Sequence, residues 1–194
     1  MNQTISYYNK NASQYYEQTK DVDFSETYKR FLKYVPEGGT VVDLGCGSCR
    51  DAAFFVKNGY KSFGVDASES LAAIAAKKTG IKVIVSDMSE WIAEDPLDAA
   101  WCCASLLHLT DVETAKFFHN LPNNLKSGGT VFISVKAEVI TGIDDKDRYL
   151  RNFTVDELEK LLADAGFRLC EIWFSTDKIG RNNIKWINVI ASKK

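Results

Sequence analysis

Residues 40–51 read TVVDLGCGSCRD and hold most of the residue types that could do chemistry in one short span. An apolar run ends near Asp43, Gly45 and Gly47 follow, and Cys46 and Cys49 form a Cys-x-x-Cys pair. Two spaced glycines remove side chains where a ligand would lie against backbone. A helix starting near Cys49 would add free N–H groups and partial positive charge. The dinucleotide pattern G-x-G-x-x-G needs a third glycine at position 50, and the chain has Arg50, which speaks against a nicotinamide dehydrogenase. The cysteine pair would suit a redox centre or half a zinc site, but no second Cys/His pair stands at ligand spacing, so no metal is expected. Cys49 at a helix start is a candidate reactive thiol.

Two further acids close apolar runs. Asp66 ends YKSFGVD and Asp87 ends IKVIVSD. An acid about 20 residues beyond a glycine loop can accept both hydroxyls of a ribose. Met88 and Trp91 follow Asp87 and are placed to meet the edge and plane of a nucleobase. His108, in ASLLHLT, follows the apolar run LDAAWCCA. Its ordinary pKa of about 6.5 suits a general base, while shaping a pocket or capping a helix near Asp111 is an equal alternative. His119 falls inside a helical pattern and reads as surface.

These residues need a scaffold that brings run ends together. TVVDLG, YKSFGVD, IKVIVSD, LDAAWCCA and GTVFISVK read as strands, four to eight residues long and dense in Val, Ile, Phe and Ala. Helix signals separate them. Ser68 can cap a helix that Gly80 stops, and Thr110/Glu113 and Thr154/Glu157 fit the capping box, the second before a helix ended by Gly166. Strand–helix alternation at this spacing predicts an α/β fold with a doubly wound, mostly parallel sheet. FRLCEIWF and IKWINVIA have only STDKIGRNN between them, which predicts an antiparallel closing hairpin and seven strands in all. The expected organisation is one domain: helices over 1–35, a core over 40–135, and a loop, helix and hairpin over 137–194, with 137–153 a polar loop.

With three strand-end acids in order around a glycine loop, the chain resembles class I S-adenosylmethionine-dependent methyltransferases of the small-molecule, UbiE-like type, over about residues 40–135. Their loop reads acid-x-G-x-G-x-G, matched by Asp43, Gly45, Gly47 and, imperfectly, Cys49. Cys49 is expected to be a first helical residue that needs no positive φ. The resemblance implies S-adenosyl-L-methionine as cofactor and a Rossmann-like fold. Gly45 and Gly47 would contact its methionine part, and Asp43 would orient the amino group indirectly. Asp66, with Ala67 beside it, would hold the ribose, Asp87 and Met88 would border the adenine, and Cys103 to Ser105 would close over the methionine. His108 stands where such enzymes often have a histidine near the transferred methyl. Leu107 replaces the glutamate of the metal-using ubiquinone-type enzymes. Tyr7, Tyr8, Tyr15 and Tyr16 recur at about helical spacing and most simply pack a helix, but the family's N-terminal helix lids the cofactor, and Tyr16 is the residue expected to reach it.

The acceptor reads as a small molecule. The chain lacks the Asn/Asp-Pro-Pro-Tyr of amino-methylating DNA enzymes, the Pro-Cys of RNA cytosine-C5 enzymes and the paired glutamates of arginine methyltransferases. With 24 basic and 26 acidic side chains it has no basic stripe for a phosphate backbone, so nucleic acid is not the expected partner. Lys136, Arg148, Lys178 and Arg181 would ring the cleft and could meet an anionic substrate, although solvated charge is the default. Trp173 and Trp186 read as hairpin packing. Alternatives are a non-catalytic cofactor-binding regulator and a tRNA-modifying methyltransferase. The polar N-terminus, the lack of a span of about 20 apolar residues and an odd count of five cysteines together predict a cytoplasmic protein off the membrane.

Overall fold

The computed structural model describes residues 3–180 and 184–194. Arg181, expected at the cleft rim, lies outside the described residues. Three helices come first, where the pattern predicts one or two: α1 (Gln3–Lys10), α2 (Ala12–Thr19) and α3 (Ser25–Leu32). Strands and helices then alternate through β1 (Thr40–Leu44), α4 (Arg50–Lys57), β2 (Lys61–Asp66), α5 (Glu69–Thr79), β3 (Val83–Val85), β4 (Leu97–Cys103), α6 (Asp111–Asn120) and β5 (Leu125–Lys136). A two-residue hairpin pair, β6 (Gly142–Ile143) and β7 (Tyr149–Leu150), precedes α7 (Val155–Asp164), and β8 (Phe167–Thr176) and β9 (Lys185–Lys193) close the chain.

Seven strands make one sheet in the order β3-β2-β1-β4-β5-β9-β8. The first five pair in parallel, and β9 runs antiparallel to both β5 and β8. This is the doubly wound sheet with a closing hairpin that the alternation predicts. Its central strands are buried on both faces, as parallel strands under crossover helices must be. Along β4, Ala99 and Trp101 face α3 and α4, where Tyr28, Phe31 and Phe55 wait. Ala100 and Cys102 face the opposite layer, with Phe117 and Phe118 of α6 and Leu158 and Leu162 of α7. Trp101 is fully buried and stacks on Phe132 with centroids 4.0 Å apart. Burial of each such side chain stabilises the fold by about 1.5–3 kcal/mol.

The helix ends follow local rules. Ser68 Oγ accepts from Leu71 N–H, and Gly80 ends α5 with φ +74°. Thr110 and Glu113 form the full reciprocal box at α6. At α7, Thr154 accepts from Glu157 N–H, but the Glu157 carboxylate turns to Arg151 at 2.6 Å, so half of the box forms. Residues 137–153 are more than the expected polar loop. They bury Leu150 and Phe153 and tie back to the body, because Tyr149 N–H donates to Thr4 Oγ1 of α1 and Arg151 N–H to the Leu107 carbonyl. Among the described residues, no helix is long and apolar enough to cross a membrane.

Candidate active site

The chain leaves β1 toward β2 on one side and later returns as β4 on the other, so strand order reverses between β1 and β4. A crevice therefore opens beyond their carboxyl ends, and the Gly45–Cys49 loop sits in it. Gly45 has φ +72°, and a Cβ there would come 2.2 Å from the Cβ of Ser105. The first glycine is thus demanded by the loop after β4, whose Ser105 hydroxyl donates to the Leu44 carbonyl at 2.7 Å. Gly47 has φ +52° and donates its N–H to Asp66 Oδ2 at 2.8 Å. Cys49 corrects the sequence reading: it stands just before α4 with φ +56° rather than in its first turn. The chain enters α4 through a left-handed residue, which is why the motif has a glycine there. A β-carbon in that conformation costs about 1–2 kcal/mol. Burial of the Cys49 side chain, Sγ 3.4 Å from that of Cys46 and above Gly64, offsets part of this.

Two cavities flank this loop, about 720 and 920 Å³ counting space open to solvent. The first is bordered by Asp66, Ala67, Asp87 and Met88, so the end of β2 and the turn after β3 deliver their acids to one wall. Asp66 is fixed by two backbone donors, Gly47 N–H on Oδ2 and Ser68 N–H on Oδ1, both at 2.8 Å. Burial raises its carboxyl above the usual range despite these bonds. Asp87 Oδ1 accepts from Ser89 N–H and Oγ at 2.8 Å each. Asp43 lies beneath the loop, fully buried, and accepts from Ala52 N–H at 3.3 Å. Burial, with the nearby Asp51 charge, pushes its carboxyl well up.

The second cavity is bordered by Phe24, Arg50, Asp51, Cys103, Lys136, Arg148, Lys178 and Trp186. Asp51 is its anchor. It accepts from Arg50 Nε and Nη2 at 2.6 and 2.8 Å, from Trp101 Nε1 at 2.9 Å, and from the Tyr28 hydroxyl. Burial alone would raise Asp51, but the Arg50 charge and these donors outweigh it and hold the carboxylate ionised. Arg50 also lies 4.2 Å from the Phe24 ring centroid, fixing α3's entry over the cavity. Burial and the Asp51 charge push the Cys103 thiol up, so it is an unionised wall group.

Six residues line both cavities: Tyr8, Tyr15, Gly45, Gly47, Ala104 and His108. His108 ends a short 3-10 turn after β4, with Nδ1 2.8 Å from the Tyr149 carbonyl and Nε2 2.9 Å from the Tyr8 hydroxyl. Burial lowers its pKa to about 4, partly offset by the Tyr149 bond, so the ring is neutral at pH 7.

Residues 41–129 match the family model described as a methyltransferase domain. The chain is 25% identical over 181 residues to an uncharacterized methyltransferase of Geobacillus thermodenitrificans, covering 82% of this chain and 83% of that one. Among solved structures it is similar to the Burkholderia thailandensis 1,6-didemethyltoxoflavin-N1-methyltransferase, which holds 1,6-didemethyltoxoflavin and S-adenosylhomocysteine (TM-score 0.77, 22% identity, 97% and 88% of the two chains). It is also similar to a chain of the complex between the Haloferax volcanii Trm112 methyltransferase activator and a methyltransferase (TM-score 0.78, 18% identity, 97% and 96%). The sheet and its flanking helices are the Rossmann-like methyltransferase fold.

Within residues 41–129, Gly45, Gly47, Asp66, Ala67, Asp87, Met88, Cys103 and His108 stand on cavity walls, and Asp43 stands behind them. Tyr16 does not. It packs against Ala12 and Leu71 at the α2–α5 seam, and Tyr15, about 100° round the helix, takes the wall. Trp91 also leaves the site, packing edge-on to Phe63 at 5.9 Å. Trp186 moves the other way: it lines the second cavity opposite Lys136, its register partner on β5. Trp173 stays in packing, stacked on Phe132 under Arg30. Asp51 carried no local signal, because an acid in a first helical turn is ordinary. The alternation of β9 could have found Trp186.

Proposed function

We propose that this chain is an S-adenosylmethionine-dependent methyltransferase of the UbiE-like, small-molecule type, with the donor in the first cavity and the acceptor in the second. The observation that carries the reading is the wall the two cavities share: the glycine loop and His108 separate a chamber bordered by strand-end acids from one bordered by aromatic and charged groups. The residues present fit the donor. Asp66 Oδ1 and Oδ2 each accept one backbone N–H and keep acceptor capacity toward a ribose diol. Asp87 and Met88 border the place for an adenine. Gly45 and Gly47 leave backbone against the methionine part.

When bound, the cofactor supplies an electrophilic methyl group on a sulfonium, which leaves as a neutral thioether. The protein's part is alignment and exclusion of water. Tyr8 and Tyr15, brought by α1 and α2, close over the loop, and Gly47 leaves room for the Tyr15 ring, whose edge would stand 3.2 Å from a Cβ there. His108 keeps one lone pair, on Nε2 facing the Tyr8 hydroxyl, and is the base at the shared wall for the proton an O–H or N–H acceptor loses. A small acceptor is supported by the cover over the second cavity, to which Phe24 just before α3, the β6–β7 hairpin and the β8–β9 connection all contribute. A net charge of −2 offers little to a polynucleotide.

Isothermal titration with S-adenosylhomocysteine, run beside NAD, tests the reading. Binding of the first alone is expected, and Asp66→Ala should weaken it by about 10- to 100-fold, the loss of one bond to a charged acceptor. Binding of NAD alone, or an Asp66→Ala affinity equal to wild type, would overturn the assignment.

A further inference from the structure

A methyl group passing between the cavities crosses the wall of six shared residues, of which only Tyr8, Tyr15 and His108 have side chains that can move a proton. The His108 ring is not open to an acceptor. A carbonyl only accepts, so Nδ1 must donate its N–H to Tyr149, and Nε2 carries the lone pair. That lone pair is taken by the Tyr8 hydroxyl at 2.9 Å. The Tyr8 oxygen in turn accepts from Arg148 Nη1 at 3.4 Å, and Asp144 holds Arg148 through Nη2 at 2.6 Å and Nε at 3.0 Å. Tyr15 shares the wall, but its hydroxyl has no base behind it among the described residues.

We propose that Tyr8, carried on α1, is the catalytic residue that touches the acceptor, and that His108 receives the acceptor's proton through it. The inference rests on the methyl-transfer reading above and adds a residue to it. The acceptor's oxygen or nitrogen forms the new bond to the methyl carbon, and the pair of the broken carbon–sulfur bond stays on sulfur. The acceptor's O–H or N–H bond breaks toward the Tyr8 oxygen while the Tyr8 O–H bond breaks toward Nε2. Tyr8 ends neutral and His108 ends as imidazolium, which releases its proton to solvent before the next turnover. Burial keeps the Tyr8 phenol up and the His108 imidazole down, so the relay starts with the proton on Tyr8 and the base vacant. Arg148 offsets charge that builds on the Tyr8 oxygen in passing.

Tyr8→Phe keeps the ring and removes the relay. Wild type and variant would be compared by S-adenosylhomocysteine titration, by the 15N resonance of His108 Nε2, and by transfer of labelled methyl from S-adenosylmethionine to a panel of phenols and azoles, with thiophenol as a control. Thiophenol ionises by itself and needs no relay. The expected result is donor affinity within about twofold, a displaced Nε2 resonance, and transfer to O–H and N–H acceptors reduced by about 100-fold or more while thiophenol transfer holds within about threefold. Equal loss for both acceptor types makes Tyr8 a lid residue only and overturns the proposal, as does undiminished transfer to phenols. If wild type methylates no panel member, the resonance decides: unmoved, it removes the contact the relay needs and the proposal with it; displaced, it upholds that contact. Failure of wild type to bind S-adenosylhomocysteine takes down the proposed function, and this relay with it; binding with an unmoved resonance takes down the relay alone.

Discussion

Gly45→Ala tests whether the tip of β1 has room for any side chain. Two costs add. At φ +72° a β-carbon strains the backbone by about 1–2 kcal/mol. The new Cβ would also stand 2.2 Å from Ser105 Cβ, more than ~1 Å inside the ordinary contact distance. Ser105 cannot simply swing aside, because its hydroxyl is bound to the Leu44 carbonyl and its backbone carries the 3-10 turn that ends in His108. Overpacking of this kind costs about 1–3 kcal/mol, so the whole change costs about 2–5 kcal/mol. For a chain of this size the melting temperature should fall by roughly 4–20 °C. Thermal unfolding followed by circular dichroism reads it directly. The double variant Gly45→Ala/Ser105→Gly separates the two costs: it should recover the overlap but not the backbone strain. A melting temperature within about 2 °C of wild type for Gly45→Ala, or a double variant no more stable than the single, would refute the argument from close approach.

The buried, neutral His108 makes stability depend on pH. Its pKa is lowered to about 4 in the fold against about 6.5 unfolded, so its contribution is complete above pH 6.5 and lost as pH falls toward 4, about 3 kcal/mol in all. In urea unfolding, the gap between wild type and His108→Gln should therefore shrink across that window, and a gap independent of pH would count against a neutral buried ring. Asp51→Ala strands the buried Arg50 charge and should cost about 3–5 kcal/mol, whereas replacing Arg50 and Asp51 together with Met and Leu should cost less; denaturant midpoints distinguish the two. Thr110→Ala opens the reciprocal box at α6 and should lower stability by about 1 kcal/mol in the same assay.

What could be read without coordinates is what depends on neighbours along the chain. Ser68, Thr110 and Gly80 act on groups three or four residues away, so their roles follow from spacing. Asp66 and Asp87 end apolar runs, and the rule that crossovers are right-handed carries those ends to one crevice. Tyr15 and Tyr16 differ by only one helical step. Which of them meets the cavity is set by how α2 lies on Leu71 of α5, a contact over 50 residues away in sequence. Cys49 takes its left-handed backbone from the closure of a loop clamped between β2 and the turn after β4, and a Cys codes no such φ. Asp51 looks like any first-turn acid until Trp101, Tyr28 and Arg50 converge on it. The partner that sets the His108 tautomer is a backbone carbonyl of Tyr149, in a segment whose sequence reads as loop. Local order comes from short-range hydrogen bonds and the period of apolar residues, whereas the direction of a single side chain is chosen by packing between distant segments, and only the folded chain brings those together.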